Sequence, residues 1–190
     1  MIDIEITEIS SDDDMEKAFE IRRIVFCDEQ KVDPEEEFDG QDHECRQYLA
    51  KRDGHAVGTA RLRRDSPEKT KIERVAVLKE ERGIGIGQQL MFRTIKDARE
   101  DGAGTVAIHA QCHAEKFYLG LGFERIGDVF EEAGIPHIYM EYRDVNDRTE
   151  HRIDWADPNE PATRIYGKLI AVLISIFFFL IIGGIVSLIS

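Results

Sequence analysis

The segment that leaves this chain the fewest ways to fold is Glu73-Arg74-Val75-Ala76-Val77-Leu78-Lys79-Glu80-Glu81-Arg82-Gly83-Ile84-Gly85-Ile86-Gly87-Gln88. An apolar strand-like run, Val75-Ala76-Val77, passes into a turn with glycine at alternate positions, and an amphipathic helix follows. Glycine lets a backbone approach a ligand closely, and the N–H groups at a helix start can hold a phosphate. Two common phosphate loops are excluded. A Walker loop requires G-x-x-x-x-G-K-[ST], yet Gln88 and Gln89 follow Gly87. The dinucleotide fingerprint G-x-G-x-x-G is met by Gly83 and Gly85, but Gln88 stands third. The four residues between strand and glycines also loosen the tight turn that fingerprint needs.

Periodicity sets this turn within an α/β order. Ile2, Ile4 and Ile6 alternate with polar residues, which predicts a half-buried first strand. Residues 10–14 supply N-cap and first-turn negative charge for a helix carried by Met15, Ala18, Phe19, Ile21, Ile24 and Val25 to about Glu29. Residues 31–43, acidic and holding Pro34 and Gly40, read as a loop. Strands are expected over 46–51, 56–63 and 71–78, with Asp53-Gly54 as a hairpin turn. A helix marked by Ile84, Leu90, Met91, Ile95 and Ala98 follows, then a strand over 105–110 and a short helix over 114–121. Strands over 123–129 and 137–142 close the order β-α-β-β-β-α-β-α-β-β. That order predicts an α/β protein with a mixed, mostly antiparallel sheet flanked by helices.

Charge narrows the partners. There are 38 acidic against 25 basic side chains, a formal charge of -13, and such a body repels phosphate backbones. No nucleic-acid partner is expected, although Arg61, Arg63 and Arg64 form a local basic patch. The acidity has two readings: a solvated surface that aids solubility, or adaptation to a salty cytoplasm, where salt at ~1 M screens within about 3 Å. Cys27, Cys45 and Cys112 form no C-x-x-C, so neither a disulfide framework nor a zinc knuckle is expected, and no metal site. Free thiols in a reducing compartment follow. The N-terminus alternates apolar and acidic residues, which predicts no signal peptide.

The spacing R-x-x-G-x-G, formed by Arg82, Gly85 and Gly87 after the Val-Ala-Val strand, resembles the coenzyme A pyrophosphate loop of the GNAT superfamily of N-acetyltransferases. Ala114-Glu115-Lys116-Phe117-Tyr118-Leu119-Gly120-Leu121-Gly122-Phe123 is similar to that superfamily's A-x-x-F-Y-x-x-x-G-F signature. Glu132-Ala133-Gly134-Ile135-Pro136-His137-Ile138-Tyr139-Met140 resembles its ElaA-like branch, as do Val25-Phe26-Cys27-Asp28-Glu29-Gln30 and Phe38-Asp39-Gly40-Gln41-Asp42. The resemblance implies a GNAT fold over residues 1–144 and acetyl-CoA as co-substrate. It implies that the backbone of Val75, Ala76 and Val77 pairs with the pantetheine arm. Arg82, Gly83, Ile84, Gly85, Ile86, Gly87 and Gln88 would cradle the pyrophosphate. Many relatives bond the pantetheine through an Asn; the nearest position here is Gln111, so a longer amide serves or that contact is missing.

By the same resemblance Tyr118 is the candidate general acid, since the family places a tyrosine near the sulfur and a phenol can protonate a departing thiolate. A core aromatic with a satisfied hydroxyl is the structural alternative. Three residues stay open for the base. Glu73 precedes the loop, where some relatives use a glutamate directly or through water, and period 2 sets it on the face of Val75 and Val77. His109 lies on the following strand and His137 in the Gly-Ile-Pro-His turn, and either imidazole can take a proton near neutral pH. Cys112 lies close by, but no activating partner for an acyl-cysteine route is evident.

Beyond the GNAT-like part, residues 145–167 form a polar linker containing Pro158 and Pro161. Residues 169–190 are 22 in number, uncharged, and include 16 Leu, Ile, Val or Phe. As a helix they would span about 33 Å, enough for a hydrocarbon core of ~30 Å, so residues 168–190 are expected to be a transmembrane tail anchor. Arg164 and Lys168 flank the run, which predicts a single-pass membrane protein with its catalytic domain in the cytoplasm. Gly183 and Ser187 make a small-x-x-x-small pair, leaving a homodimer open. The expected activity is acetyl transfer from acetyl-CoA to an amine of unknown kind. A tethered acyl-CoA-binding module without turnover and a nucleotide-binding regulator are the competing readings.

Overall fold

The computed structural model describes residues 3–142; the expected linker and apolar helix lie outside them. Strand β1 (Ile4–Glu8) leads to helix α1 (Asp12–Arg22). Ser11 caps that helix by accepting a 3.2 Å bond from the Asp14 N–H, and Asp12, Asp13 and Asp14 set negative charge at the positive end of its dipole. The helix runs on to Glu29 as expected, but as a widened π-type turn over Arg23–Glu29, an irregularity that recurs at functional sites. Residues 31–43 are not simply a loop. They hold the one-turn helix α2 (Pro34–Glu37), opened by Pro34 and capped by Asp33, which accepts from the Glu35 N–H at 2.8 Å. Four residues are too few to show a period, so Asp33 and Pro34 alone mark this helix.

Next, β2 (Arg46–Arg52), β3 (His55–Arg64) and β4 (Lys69–Val77) run antiparallel, α3 (Ile86–Glu100) crosses over, and β5 (Thr105–Gln111) returns parallel to β4. Helix α4 (Glu115–Gly120) precedes the hairpin of β6 (Phe123–Glu132) and β7 (Ile135–Tyr142). The described strands make one sheet in the order β1-β2-β3-β4-β5-β7-β6. Tyr48, Leu62, Ile72, Ile108 and Met140 meet Leu90, Met91 and Ile95 of α3 on one face. On the other, Ala18, Ile21 and Val25 pack against Leu49 and Ala76. Gly58 lets α3 lie close to the sheet, because a Cβ there would stand 3.1 Å from Leu90 Cδ1 and 3.0 Å from the Ala76 carbonyl.

Two irregularities of β4 make the site. Its pairing with β5 covers residues 69–71 against 105–107 and then stops, leaving the β5-facing edge of β4 open. Its register with β3 shifts between Thr59 and Arg61, opposite Arg74, which has φ +53° and forms a bulge. The extra residue reverses the alternation. Glu73 pairs across to Arg61 on the α1 side, whereas Val75 and Val77 pack with the α3 core. The period-2 reading that set these three on one face is therefore overturned.

Candidate active site

The α3 side of the opening is built from main chain. Gly83 and Gly85 have φ of +83° and +92°, left-handed values that suit glycine, and Gly85 opens α3 without a side-chain cap. The first helical bond runs from the Gln89 N–H to the Gly85 carbonyl, so the N–H groups of Ile86, Gly87 and Gln88 precede the helix ladder. Arg82 braces this turn. Its Nε donates to the Val77 carbonyl at 2.9 Å, and its two terminal nitrogens each donate at 2.7 Å to Glu29 of the π-type turn. Those bonds lower the Glu29 carboxyl and raise the Arg82 guanidinium.

A cavity of about 870 Å³ opens between β4, β5, α4 and the segment 25–39. Val75, Ala76, Val77, Arg82, Gln111, Tyr118, Glu73, His109 and His137 all stand in its walls. The structure thus gathers all four catalytic candidates into one space, while Gly83, Ile84, Gly85, Ile86, Gly87 and Gln88 lie beyond its walls, past Arg82. Tyr118 packs edge-on against Phe117 and Phe123 at 5.0 and 5.9 Å, and burial pushes its phenol up to about 12, which keeps it a proton donor. The Gln111 amide donates to Gln30 at 2.8 Å.

The α1 side is built from charge. Arg61, almost wholly buried, donates to Asp39 at 2.7 and 2.8 Å, to Glu73 at 2.7 and 3.0 Å, and to Asp42 at 3.1 Å. Arg22 is buried against Glu37 and Asp42, with its guanidinium over the rings of Phe19 and Phe38. Lys71 lies 3.1 Å from Glu73, and Arg63 lies 3.3 Å from it. Burial pushes the Glu73 carboxyl up, but Lys71, Arg61 and Arg63 outweigh it and hold it below the usual range. His109 and Glu132 meet at 2.6 Å, a bond that holds Glu132 down to about 2. His137 donates from Nδ1 to the Ile135 carbonyl at 2.8 Å, which leaves Nε2 with the lone pair. The thiols of Cys27, Cys45 and Cys112 are free.

Sequence reasoning gave no role to Glu29, Gln30, Lys71 and Glu132. Glu29, Gln30 and Glu132 meet Arg82, Gln111 and His109, all remote in the chain, so spacing carries no sign of these pairs. Lys71 and Glu73 do alternate on one strand, a pattern that places both on one face.

A strand edge left open beside unpaired helix-start N–H groups suits a long carrier with an anionic end and a reactive end. With titratable groups at the middle of the opening, the class is an acyltransferase. The chain belongs to the GNAT acetyltransferases: the family described as "Acetyltransferase (GNAT) domain" matches residues 23–143. Escherichia coli ElaA, a solved structure, is 31% identical, with a TM-score of 0.66, covering 75% of this chain and 100% of that one. An acyl-CoA N-acyltransferase from Pseudomonas aeruginosa is 30% identical, with a TM-score of 0.64 and coverage of 75% and 100%. A GNAT family acetyltransferase from Elizabethkingia anophelis, solved with acetyl-CoA bound, shares the fold at 20% identity and a TM-score of 0.59, covering 73% and 97%.

Proposed function

We propose that this chain moves an acetyl group from acetyl-CoA to an amine. The observation that carries this is the open edge of β4 after residue 71, running to the N–H groups that start α3. Val75, Ala76 and Val77 offer main-chain partners to a pantetheine arm. The N–H groups of Ile86, Gly87 and Gln88 receive the diphosphate, with Arg82 beside them. Bound there, acetyl-CoA supplies an activated acyl group: a C–N bond to the amine forms, the C–S bond breaks, the amine loses a proton and the sulfur gains one. The cleft holds both reactants together, worth ~7–11 kcal/mol at ideal alignment.

The residues divide by face. Tyr118 packs with the α3-side core and donates the proton to the departing sulfur. Glu73, His109 and His137 lie on the α1 side, where the acceptor approaches. Among these, Glu73 is the weakest base, since three cations hold it ionised. The two imidazoles keep a lone pair for the acceptor's proton.

Residues 168–190 would tether the enzyme to a membrane with its catalytic domain in the cytoplasm, a reading supported by the uncharged 22-residue run after Lys168. Among the described residues, no helix is long and apolar enough to cross a membrane. Calorimetric titration with CoA, then thiol release from acetyl-CoA over a panel of amines, tests the activity. Binding without release from any amine would leave an acyl-CoA-binding module. Retention in the pellet after alkaline carbonate extraction is expected, and full release would remove the tether.

A further inference from the structure

Glu132 ends β6, and its carboxylate meets Nδ1 of His109 on β5 at 2.6 Å. The same nitrogen stands 3.0 Å from Nζ of Lys71 on β4. One ring nitrogen cannot serve both contacts alike. A bare Nδ1 would press its lone pair against a carboxylate oxygen. The carboxylate contact, the shorter of the two, favours the tautomer with the proton on Nδ1, donated to Glu132, and the lone pair on Nε2. Phe130 and Tyr139 hold the ring edge-on at 4.9 and 5.9 Å, so its plane is fixed as well. Lys71, His109 and Glu132 all line the cavity.

We infer that Glu132 is a positioning residue: it fixes the tautomer and plane of His109 so that Nε2 takes the proton of the acceptor amine. The inference rests on the acetyl-transfer reading. His137 is the lesser base because its Nδ1–H meets a neutral carbonyl, whereas a carboxylate also stabilises the imidazolium formed on proton uptake. The charges facing His109 come from several elements. From β4 come Lys71, 3.0 Å from Nδ1, and Glu73, paired to Lys71. From β6 comes Glu132. On β7 stand His137, stacked on Phe130 at 6.0 Å, and the Tyr139 hydroxyl. Across the cavity lie His113, Tyr118, and Glu29 paired to Arg82.

The test uses the full-length chain labelled with 15N-histidine, with His109→Gln identifying the resonance. Neutral His109 is expected with its proton on Nδ1. In Glu132→Gln the amide still accepts that bond but carries no charge. The His109 midpoint in the variant should then lie below that of the wild type, as for loss of an adjacent opposite charge. The acid limb of kcat/KM for thiol release from acetyl-CoA, read with a panel of amines led by spermidine, should move with it at unchanged KM for acetyl-CoA. A purely structural role would leave that limb in place. Finding the proton on Nε2, or an unmoved midpoint or limb in an active enzyme, would overturn the inference alone. A wild type that binds CoA yet acetylates no amine would overturn the acetyl-transfer reading, and this inference with it.

Discussion

The two sides of the split between β4 and β5 are made of different material. On the α3 side the chain offers backbone: an open strand edge, a left-handed Gly85 and the N–H groups that follow it. On the α1 side it offers side chains, with Arg22, Glu37, Asp39, Asp42, Arg61, Lys71 and Glu73 joined in one network. A backbone site keeps its donors whatever side chains surround it. A buried side-chain site stands only while each charge keeps its partners, since an unpaired buried charge is costly. Under the acetyl-transfer proposal, the backbone side would hold the carrier and the side-chain side would face the acceptor.

The comparison breaks most sharply at Arg61. Arg61→Ala strips Asp39, Asp42 and Glu73 of the cation they share, leaving each with its second partner (Arg74, Arg22 and Lys71), at a cost of up to about 3–5 kcal/mol for a broken buried network. A lowered melting temperature measures it. The pH dependence has a definite sign. Asp39 and Asp42 are held below the usual carboxylate range by Arg61 and Arg22, and Glu73 by Lys71 and Arg61. Their contribution is present above the ordinary pKa of about 4 and is lost as pH falls through the depressed values. Glu37 opposes this, because burial raises it. Thermal melts from pH 6 to pH 3 should show wild-type stability falling and the variant's curve flatter. Parallel curves would mean that Arg61 does not hold these carboxylates.

Tyr118 tests the α3 side as chemistry rather than stability. Tyr118→Phe removes a hydroxyl and leaves the ring against Phe117 and Phe123. Thiol release should drop about 10²-fold, the lower end for a general acid, with CoA affinity unchanged by calorimetry. A full rate would reduce Tyr118 to core packing.

What the residues disclose in advance divides along the same line. Arg82, Gly85 and Gly87 were legible because main-chain conformation is local, and a glycine spacing between a strand and a helix has few uses. The amphipathic run of α3 was legible for the same reason. His109 was legible as a residue type only, because its partners lie elsewhere: Glu132 is 23 positions from it, and Lys71 is 38. The bulge at Arg74 carried no sign at all. A non-glycine residue at φ +53° is uncommon, and it arises here where β4 parts from β5, a tertiary event. Missing it put Glu73 on the wrong face.

Gly85 joins conformation to function on the backbone side. At φ +92° an Ala would be strained by ~1–3 kcal/mol, although a Cβ there meets nothing within 4 Å. Gly85→Ala should therefore lower the melting temperature and, by rotating the N–H groups of Ile86 and Gly87, weaken CoA binding. Unchanged CoA binding would detach the helix start from the cofactor site.

Gly87 should give the smallest effect, and the contrast with Gly85 sharpens the case. It lies inside α3, outside the left-handed region, and an added Cβ would meet Phe117 Cζ at an ordinary 3.5 Å. Nothing in the protein's own packing requires glycine there. Gly87→Ala should stabilise the fold by roughly 0.5–1 kcal/mol, the usual difference between the two residues within a helix. Its N–H is kept, and a methyl adds little bulk, so CoA affinity should hold within a few-fold. A stabilised variant with intact binding means that the backbone N–H at position 87 is what the cofactor uses. A stabilised variant that loses CoA would instead place the cofactor against the Cα itself, at van der Waals contact.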